Sequence, residues 1–245
     1  MDTSTTARRV RRVRYELRRR PVEVARVEPL GPGFVAVTFA GGALADFASE
    51  SFDDHVKLIL PGSGDEPVLR DYTPRRFDRE RCELTIEFAL HGHGHASAWA
   101  RNAQAGQQVV IGGPRGSMII PADFAWHLLA GDATALPAMR RRLEELPHGA
   151  CVFVIAHLDA AERAAAAIPP HVELRWVDSA AELVDAVRAL ALPSGDGFVW
   201  AAGEASTMAR LRHVLLAEKQ HPREAMRVAA YWKRGASAHH QNLED

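Results

Sequence analysis

A cation, a phenol and a hydroxyl stand close together in the segment Arg70-Asp71-Tyr72-Thr73-Pro74. In an extended strand, Arg70 and Tyr72 point to one side of the sheet and Thr73 points to the other. A guanidinium can pair with a phosphate through two hydrogen bonds, and a phenol ring can pack along a planar ring system. These groups suit a flavin nucleotide, although an Arg and a Tyr on one strand are also common as surface and packing residues.

A glycine-bearing turn follows the strand that ends at Leu90, and its sequence over residues 91–100 is HGHGHASAWA. A turn of this kind that leads into a helix presents free backbone amides to an anion such as a pyrophosphate. Gly94 permits close approach, and Ser97 either caps the helix or bonds a phosphate oxygen. The three alternating histidines rarely converge on one ion in a tight turn, and no carboxylate or cysteine completes a ligand set. We therefore predict no metal site.

Two motifs in the second half lie where a strand leads into a helix: residues 131–135, GDATA, and residues 203–205, GEA. The carboxyl ends of parallel strands meet at one edge of a sheet, where a dinucleotide lies across a helix N-terminus. Neither motif is GxGxxG. Asp132 would repel a phosphate, so we expect it to cap the helix or to bond a hydroxyl, and Glu204 is explained equally well by capping. Between the two halves, residues 112–117 read GGPRGS, which is typical of a tight turn.

The hydrophobic period changes near the middle of the chain. Residues 82–90 alternate between apolar and polar side chains, and similar short strands at 22–27, 34–39, 56–60 and 109–111 are separated by Gly and Pro. This first half predicts a small antiparallel β-barrel or sandwich with one helix near Ser97. The second half alternates apolar strands with helices, which predicts βαβ units and a Rossmann-like parallel sheet.

The predicted fold class is therefore two-domain: an antiparallel β-barrel domain that carries the flavin-type segment, followed by an α/β parallel-sheet domain that carries the two dinucleotide-type motifs. We place a basic flexible arm at residues 1–19, the β-barrel domain at 20–123 and the α/β domain at 124–245. A chain of 245 residues is comfortable for two domains.

Charge is distributed unevenly along the chain. Residues 1–20 hold eight arginines against Asp2 and Glu16, a net charge of +6, so the remaining residues carry −7 of the total of −1. Apart from Tyr15 this arm has no aromatic residues for base stacking, so we expect a solvated tail and no nucleic-acid partner. No apolar run approaches the roughly 20 residues that span a bilayer. Cys82 and Cys151 are expected to be buried and reduced, which favours a cytoplasmic protein.

Taken in order, these motifs resemble the siderophore-interacting protein family of FAD-dependent ferric-siderophore reductases, within the wider ferredoxin-reductase-like group. Arg70-x-Tyr72-Thr73 resembles the flavin motif of that group, and residues 91–100 resemble the family segment HGxGPASxWA. Residues 113–117 match GPRGS, 131–138 match GDETALPA, 202–204 match AGE and 231–235 match YW(R/K)xG. Two positions depart from the family pattern, since His95 replaces a proline and Ala133 replaces a glutamate.

The resemblance implies which residues hold the two cofactors. FAD is expected to bind at Arg70, Tyr72, Thr73, His91, Gly94, His95, Ala96, Ser97 and Trp99. A nicotinamide cofactor, NADPH or NADH, is expected at Gly131, Asp132, Thr134, Ala135, Gly203, Glu204 and Ala205. No catalytic side chain is expected, because the flavin carries the chemistry.

The resemblance also implies a substrate, a ferric siderophore whose Fe(III) is reduced to Fe(II) so that the metal is released. Such chelates are often anionic, so a basic rim is expected, with Lys57, Arg115, Lys233 and Arg234 as its candidates. Two alternatives remain open: a flavin reductase that serves a protein electron partner such as a ferredoxin, and a siderophore-binding protein without catalysis. We expect a monomer.

Overall fold

The computed structural model describes residues 10–62, 66–90, 94–235 and 241–242. In chain order the elements are β1 (Arg11–Arg14), β2 (Arg19–Pro29), β3 (Phe34–Ala40), β4 (Val56–Leu60), β5 (Val68–Tyr72), β6 (Arg76–Asp78), β7 (Glu83–Ala89), α1 (His95–Arg101), β8 (Gln108–Gly112), β9 (Gly116–Ile119), β10 (Trp126–Asp132), α2 (Leu136–Glu145), β11 (Val152–His157), α3 (Ala160–Ala164), β12 (Glu173–Val177), α4 (Ala180–Ala189), β13 (Gly197–Glu204), α5 (Ala205–His213), β14 (Met226–Trp232) and β15 (Gln241–Asn242).

The chain divides into two compact units. The barrel unit contains Arg12–Ile119 together with Ala160–Ala167, and the α/β unit contains Ile120–Asp159 and the chain from Ile168 onward. The sequence places the boundary after residue 123 and does not anticipate that the short alanine-rich segment with α3 groups with the barrel unit. In the sequence this alanine-rich segment resembles a low-complexity stretch, because the five residues of α3 are too few to show a helical period.

The barrel unit is a curled seven-stranded antiparallel sheet in the order β5-β4-β8-β2-β3-β7-β6. Strand β7 shows why it forms: Leu84, Ile86 and Phe88 are fully buried on one face, and the polar residues between them occupy the other. The core continues through β3 and β4, where alternate residues are again fully buried. The predicted antiparallel sheet is confirmed.

The α/β unit is built on five parallel strands in the order β12-β11-β10-β13-β14, with β15 added antiparallel at one edge. Helix α4 is capped by Ser179, whose hydroxyl accepts a hydrogen bond from the amide of Glu182, and it buries Leu183 and Val187 against the sheet. The predicted Rossmann-like unit is confirmed. In the described part of the chain, no helix is both long and apolar enough to cross a bilayer.

The segment expected to be a flexible arm is partly a strand. β1 pairs with β9, and the amide of Tyr15 donates to the carbonyl of Arg115 at 3.0 Å. A Cβ at Gly116 would lie 2.2 Å from the carbonyl oxygen of Val13, so the glycine of the GPRGS motif makes room for the arm. Sequence alone missed β1, because a strand rich in arginine has no apolar alternation to reveal it.

A buried polar network holds this strand in place. The Oδ2 atom of Asp54 accepts hydrogen bonds from the hydroxyls of Ser117 at 2.6 Å and Ser49 at 2.9 Å. The hydroxyl of Tyr15 donates to Glu50 at 2.9 Å and lies 3.0 Å from that of Ser117. The GPRGS turn therefore joins the arm to the loop before β4.

The two cysteines differ from the expectation that both are buried. Cys151 is exposed just before β11, and Cys82 is partly buried in the turn before β7 with a φ of 49°. Both are free.

A buried histidine makes the α/β unit sensitive to pH. His127 in β10 is almost fully buried, and its Nε2 atom lies 3.3 Å from the carbonyl of Ala122. Burial and the positive charge of Arg142 lower the pKa of His127 to about 4. The unfolded chain therefore binds a proton between pH 6.5 and 4 that the folded chain does not.

We predict that the free energy of unfolding falls as pH is lowered from about 6.5 towards 4, by at most about 3 kcal/mol from this group. Urea unfolding of the wild type and of His127→Gln at pH 7.5 and pH 5 measures the effect, because glutamine does not titrate. The variant should lose less stability than the wild type over this interval. The exposed His171→Gln serves as the control, and equal losses in all three proteins would contradict the assignment.

Candidate functional site

The segment predicted to hold flavin lies on β5, the end strand of the barrel sheet. Arg70 pairs in register with Leu58, and Tyr72 pairs with Val56, and both of these β4 residues face the core. Arg70 and Tyr72 therefore share the inner face of the sheet. The outer edge of β5 has no strand partner among the described residues, so its backbone groups face away from the sheet and are available to a ligand.

An aromatic residue that the sequence analysis did not select joins this segment to α1. The ring of Phe88 in β7 lies 4.4 Å from that of Tyr72 and 5.8 Å from that of Trp99, measured between centroids. Burial raises the pKa of the Tyr72 phenol well above its usual value, so the group is neutral at any physiological pH. The sequence shows that Phe88 lies on the apolar face of β7. It does not show that the ring contacts Tyr72 and Trp99, because these residues come from other elements.

The glycine-bearing turn is described only from Gly94, so the candidate His91 lies outside the described residues. Gly94 precedes α1 and is exposed, and the Nε2 atom of His95 donates to the carbonyl of Pro61 at 2.7 Å. Ala96 is buried and packs on the barrel core. The residue that replaces the usual proline thus ties α1 to the loop after β4.

Ser97 does not cap the helix. Its hydroxyl donates to the carbonyl of Ala89 at 3.1 Å, at the end of β7. A phosphate oxygen is a hydrogen-bond acceptor, so in this arrangement the proton of Ser97 is already engaged. Trp99 lies half-buried two residues further along α1 and packs on the core.

Buried charges support the end of the flavin segment. Thr73 is almost fully buried, and Arg75, two residues later, forms an ion pair with Glu87 of β7 at 3.2 Å. Both charged side chains are about 95% inaccessible, at 3% and 6% relative exposure. The amide of Arg75 also donates to the carbonyl of Thr85 at 2.9 Å. Arg75 was missed because an arginine next to a second arginine suggests surface.

The four candidate cations of the basic rim differ in their surroundings. Lys57 donates to both carboxylate oxygens of Asp71, at 2.8 and 2.9 Å, so much of its charge is compensated. Arg115 is exposed between β8 and β9, and Lys233 and Arg234 are exposed after the end of β14. Within the described residues these three form no ion pair.

In the α/β unit, both candidate nicotinamide motifs lie at the carboxyl edge of the sheet. Gly131 and Asp132 end β10, and Gly203 and Glu204 end β13, which is its neighbour. The chain proceeds from β10 to β11 and β12 on one side of the sheet, and β13 and β14 lie on the other. Such a reversal between adjacent strands opens the crevice where ligands bind in sheets of this type.

The two glycines are explained by packing of this unit. A Cβ at Gly131 would lie 2.3 Å from the carbonyl oxygen of Ala202 and 2.7 Å from the Cβ of Ala135. A Cβ at Gly203 would lie 2.6 Å from Oδ2 of Asp132, and its φ of 154° disfavours other residues. A bulky substitution at either position would therefore disturb the unit as well as any ligand.

Asp132 and Glu204 both act as helix caps. Asp132 accepts from the amide and the hydroxyl of Thr134. Glu204 accepts from the amide of Ser206 at 2.8 Å and from that of Thr207 at 3.1 Å, at the start of α5, which begins with Ala205. Burial opposes ionisation of Glu204, but these bonds and one from the amide of Arg234 outweigh it and lower its pKa.

Comparison with protein families agrees with this arrangement. Residues 23–67 and 61–118 match the siderophore-interacting FAD-binding domain, and residues 124–235 match the siderophore-interacting protein model. The chain is 35% identical to the NADPH-dependent ferric-chelate reductase of Escherichia coli K12, over 94% of this chain and 98% of that protein. It belongs to the siderophore-interacting protein family.

Other relatives extend the similarity. The ferric vibriobactin reductase ViuB of Vibrio cholerae is 30% identical over 91% of this chain and 93% of its own. The crystal structure of a siderophore utilization protein from T. fusca has a TM-score of 0.86 at 32% identity, covering 94% of this chain and 98% of that one. That of SipS, the siderophore-interacting protein from Aeromonas hydrophila, has a TM-score of 0.80 at 28% identity, covering 90% and 93%.

We predict that breaking the buried ion pair of the barrel unit on one side destabilises it strongly. Glu87→Gln leaves the guanidinium of Arg75 in the interior without its carboxylate, at an expected cost of about 3–5 kcal/mol in the free energy of unfolding. Urea unfolding of the holoprotein measures the loss. The double variant Arg75→Met with Glu87→Leu should be more stable than Glu87→Gln, and if it is less stable the pair contributes net stability instead.

Proposed function

We propose that this protein is a NADPH-dependent, FAD-containing ferric-siderophore reductase. The observation that carries the proposal is the similarity to a ferric-chelate reductase over nearly the whole length of the chain. The flavin segment lies in the part that matches the FAD-binding domain, and the strand-end motifs lie in the part that matches the siderophore-interacting protein model. The oxidoreductase class follows from the same similarity.

The barrel unit has the groups that a flavin nucleotide requires. Arg70 is half-buried with a guanidinium that donates to the neighbouring carbonyl of Leu69 at 2.8 Å, a bond that a phosphate can replace. Tyr72 offers a neutral ring fixed against Phe88, and the free edge of β5 offers backbone donors next to it. The exposed amide region at Gly94 adds space for the pyrophosphate.

The α/β unit would take the nicotinamide cofactor at the edge formed by β10 and β13. Thr134, Ala135 and Ala205 border this edge at the starts of the helical segments, while the acidic residues between them are engaged in capping. When bound, NADPH and FAD supply the hydride and the single electrons that reduce Fe(III) to Fe(II). The side chains of this chain orient the cofactors and exclude water from them.

Each unit has exposed cations that would attract an anionic substrate: Arg115 in the barrel unit, and Lys233 and Arg234 in the α/β unit. Lys57 contributes less, because Asp71 compensates its charge and Lys57→Ala would also expose that carboxylate. An anionic chelate needs such cations, since the chain beyond the arm carries a net charge of −7.

The proposal also includes a monomer, and a location in the reducing cytoplasm, where two free cysteines persist. A flavin reductase that serves a protein electron partner such as a ferredoxin is a second candidate, and it requires FAD as well. A protein that binds siderophores without reducing them is distinguished by the absence of flavin reduction by NADPH or NADH.

We predict that Arg70→Ala loses FAD. Removal of a charge-assisted hydrogen bond worth about 1.5–3 kcal/mol should weaken flavin binding about tenfold or more. The flavin content after dialysis, read from the visible absorbance, measures the loss. Arg81→Ala, an exposed arginine of the same unit whose nearest carboxylate is 4.0 Å away, is the matched control. Equal flavin contents in both variants would place the phosphate elsewhere.

We also predict that the exposed cations discriminate by charge. In anaerobic reactions, NADPH should bleach the flavin, and a ferric tris-catecholate should reoxidise it. Arg115→Ala with Lys233→Ala should raise the apparent KM for this chelate about threefold to tenfold at low ionic strength and flatten its salt dependence. Reduction of a neutral ferric hydroxamate should change little. Equal losses on both chelates would show that these residues support the fold, and a wild type that NADPH does not bleach would refute the proposed donor.

A further inference from the structure

The carboxylate of Asp132 is fully engaged within the protein. Its Oδ1 atom accepts from the amide of Thr134 at 2.9 Å and from the hydroxyl of the same residue at 2.5 Å. Its Oδ2 atom accepts from the amide of Glu204 at 3.0 Å and from the indole Nε1 of Trp232 at 2.9 Å. A carboxylate has about four lone-pair directions, so four donors saturate it. In the described part of the chain no cation pairs with it.

These bonds join three neighbouring strands at one edge. Asp132 ends β10, Glu204 ends β13, and Trp232 ends β14. The bond from Asp132 to Glu204 crosses the gap between β10 and β13, where the direction of the crossovers reverses. The register between β13 and β14 shifts at this same point, between Gly203 and Glu204, and Trp232 pairs with Glu204 directly after the shift.

We propose that Asp132 is a positioning residue for the nicotinamide cofactor, which acts by holding the indole of Trp232 and the turn at Glu204 and does not touch the cofactor itself. This inference rests on the proposed function only in that a nicotinamide cofactor binds at this edge. It assigns a role to an acid that the family resemblance places in the cofactor site, where a direct contact with phosphate would be repulsive.

The indole of Trp232 is suited to this role because its single donor, Nε1, bonds to Asp132. The residue is half-buried, and it ends a strand whose next residues are exposed. A tryptophan side chain has two rotatable bonds, and the bond from Nε1 to a saturated carboxylate restricts both. Hydride transfer requires the reacting atoms to approach to about 3–3.5 Å, so a ring that moves at this edge costs rate more than affinity.

Gly203 provides an independent sign that the site is built around this carboxylate. Its missing Cβ leaves the space that Oδ2 of Asp132 occupies, since an added Cβ would approach that atom to 2.6 Å. A carboxylate that only capped the start of the next helix would need Oδ1 alone. The second oxygen, Oδ2, lies in the space left by Gly203 and accepts hydrogen bonds from the two neighbouring strands.

The experiment compares Asp132→Asn, Trp232→Phe and the double variant, each as the FAD-loaded full chain. An asparagine keeps the size but supplies one acceptor oxygen in place of two, and a phenylalanine keeps a ring but removes the indole donor. Trp126→Phe is the matched control. Trp126 begins β10 roughly 20 Å from Asp132, and its Nε1 has no hydrogen-bond partner among the described residues.

The first readout does not depend on activity. In ¹⁵N spectra the indole signal of Trp232 is assigned by its absence from Trp232→Phe. In Asp132→Asn this signal should shift upfield and its hydrogen exchange should accelerate about tenfold or more, while the signal of Trp126 stays in place. An unchanged Trp232 signal would overturn the link between the two residues.

The second readout is the anaerobic rate of flavin reduction at saturating NADPH, together with the Kd of NADP⁺. Each single variant should lower the rate about tenfold or more, and the double variant should lower it no further than the slower single one. The Kd should change less than about threefold, and Trp126→Phe should match the wild type.

Three results count against the positioning role. Additive losses would mean that the two residues act separately, a loss confined to Kd would mean direct contact with the cofactor, and a parental rate in Trp232→Phe would leave Asp132 as a structural cap. Because Trp232→Phe leaves all other bonds of Asp132 intact, it decides the matter even if Asp132→Asn folds poorly. A wild type that NADPH fails to reduce would refute the proposed donor, a result distinct from all three.

Discussion

The packing of Tyr72 and Trp99 on Phe88 is the contact on which the flavin-binding half depends. β5 has a hydrogen-bonded partner on one side only, so its backbone ladder cannot fix the residues at its free end. Burying one aromatic side chain contributes about 1.5–3 kcal/mol, and a favourable ring pair adds about 0.5–1.5 kcal/mol. The segment with Arg70 is thereby held to α1 without covering the outer edge of β5, the edge at which we propose that flavin binds.

Buried and half-buried charged side chains in both units bond to residues of loops or strand ends. Asp54 accepts a hydrogen bond from the hydroxyl of Ser117, Glu87 forms an ion pair with Arg75, and Asp132 joins three strand ends. Arg142 donates to the carbonyls of Ile120 and Pro121, and burial lowers its pKa to about 10. Irregular backbone has no ladder to satisfy it, so side chains with several acceptors or donors take over that task.

The two-unit fold followed from hydrophobic period, because the period-2 pattern of β7 and the alternation of strands and helices after residue 124 are local signals. The capping by Asp132 followed from charge. Contacts between different elements did not follow from local signals: Phe88 packs on Tyr72, Lys57 pairs with Asp71 across two strands, and the hydroxyl of Ser97 in α1 donates to the carbonyl of Ala89 in β7. β1 was missed because three of its four residues are arginine, and α3 because five residues carry no period.

The charges of the barrel unit bear on how an anionic substrate is recognised. Arg18 and Arg20 both pair with Asp46, Arg26 pairs with Glu83, and Lys57 pairs with Asp71. A cation already paired with a carboxylate contributes little to the field at a distance, since the two charges form a dipole. An anionic chelate would therefore be attracted mainly by exposed cations outside such pairs, of which Arg115 is one. Since the paired cations add little to this attraction, the shape of the chelate would account for more of the selectivity than its net charge.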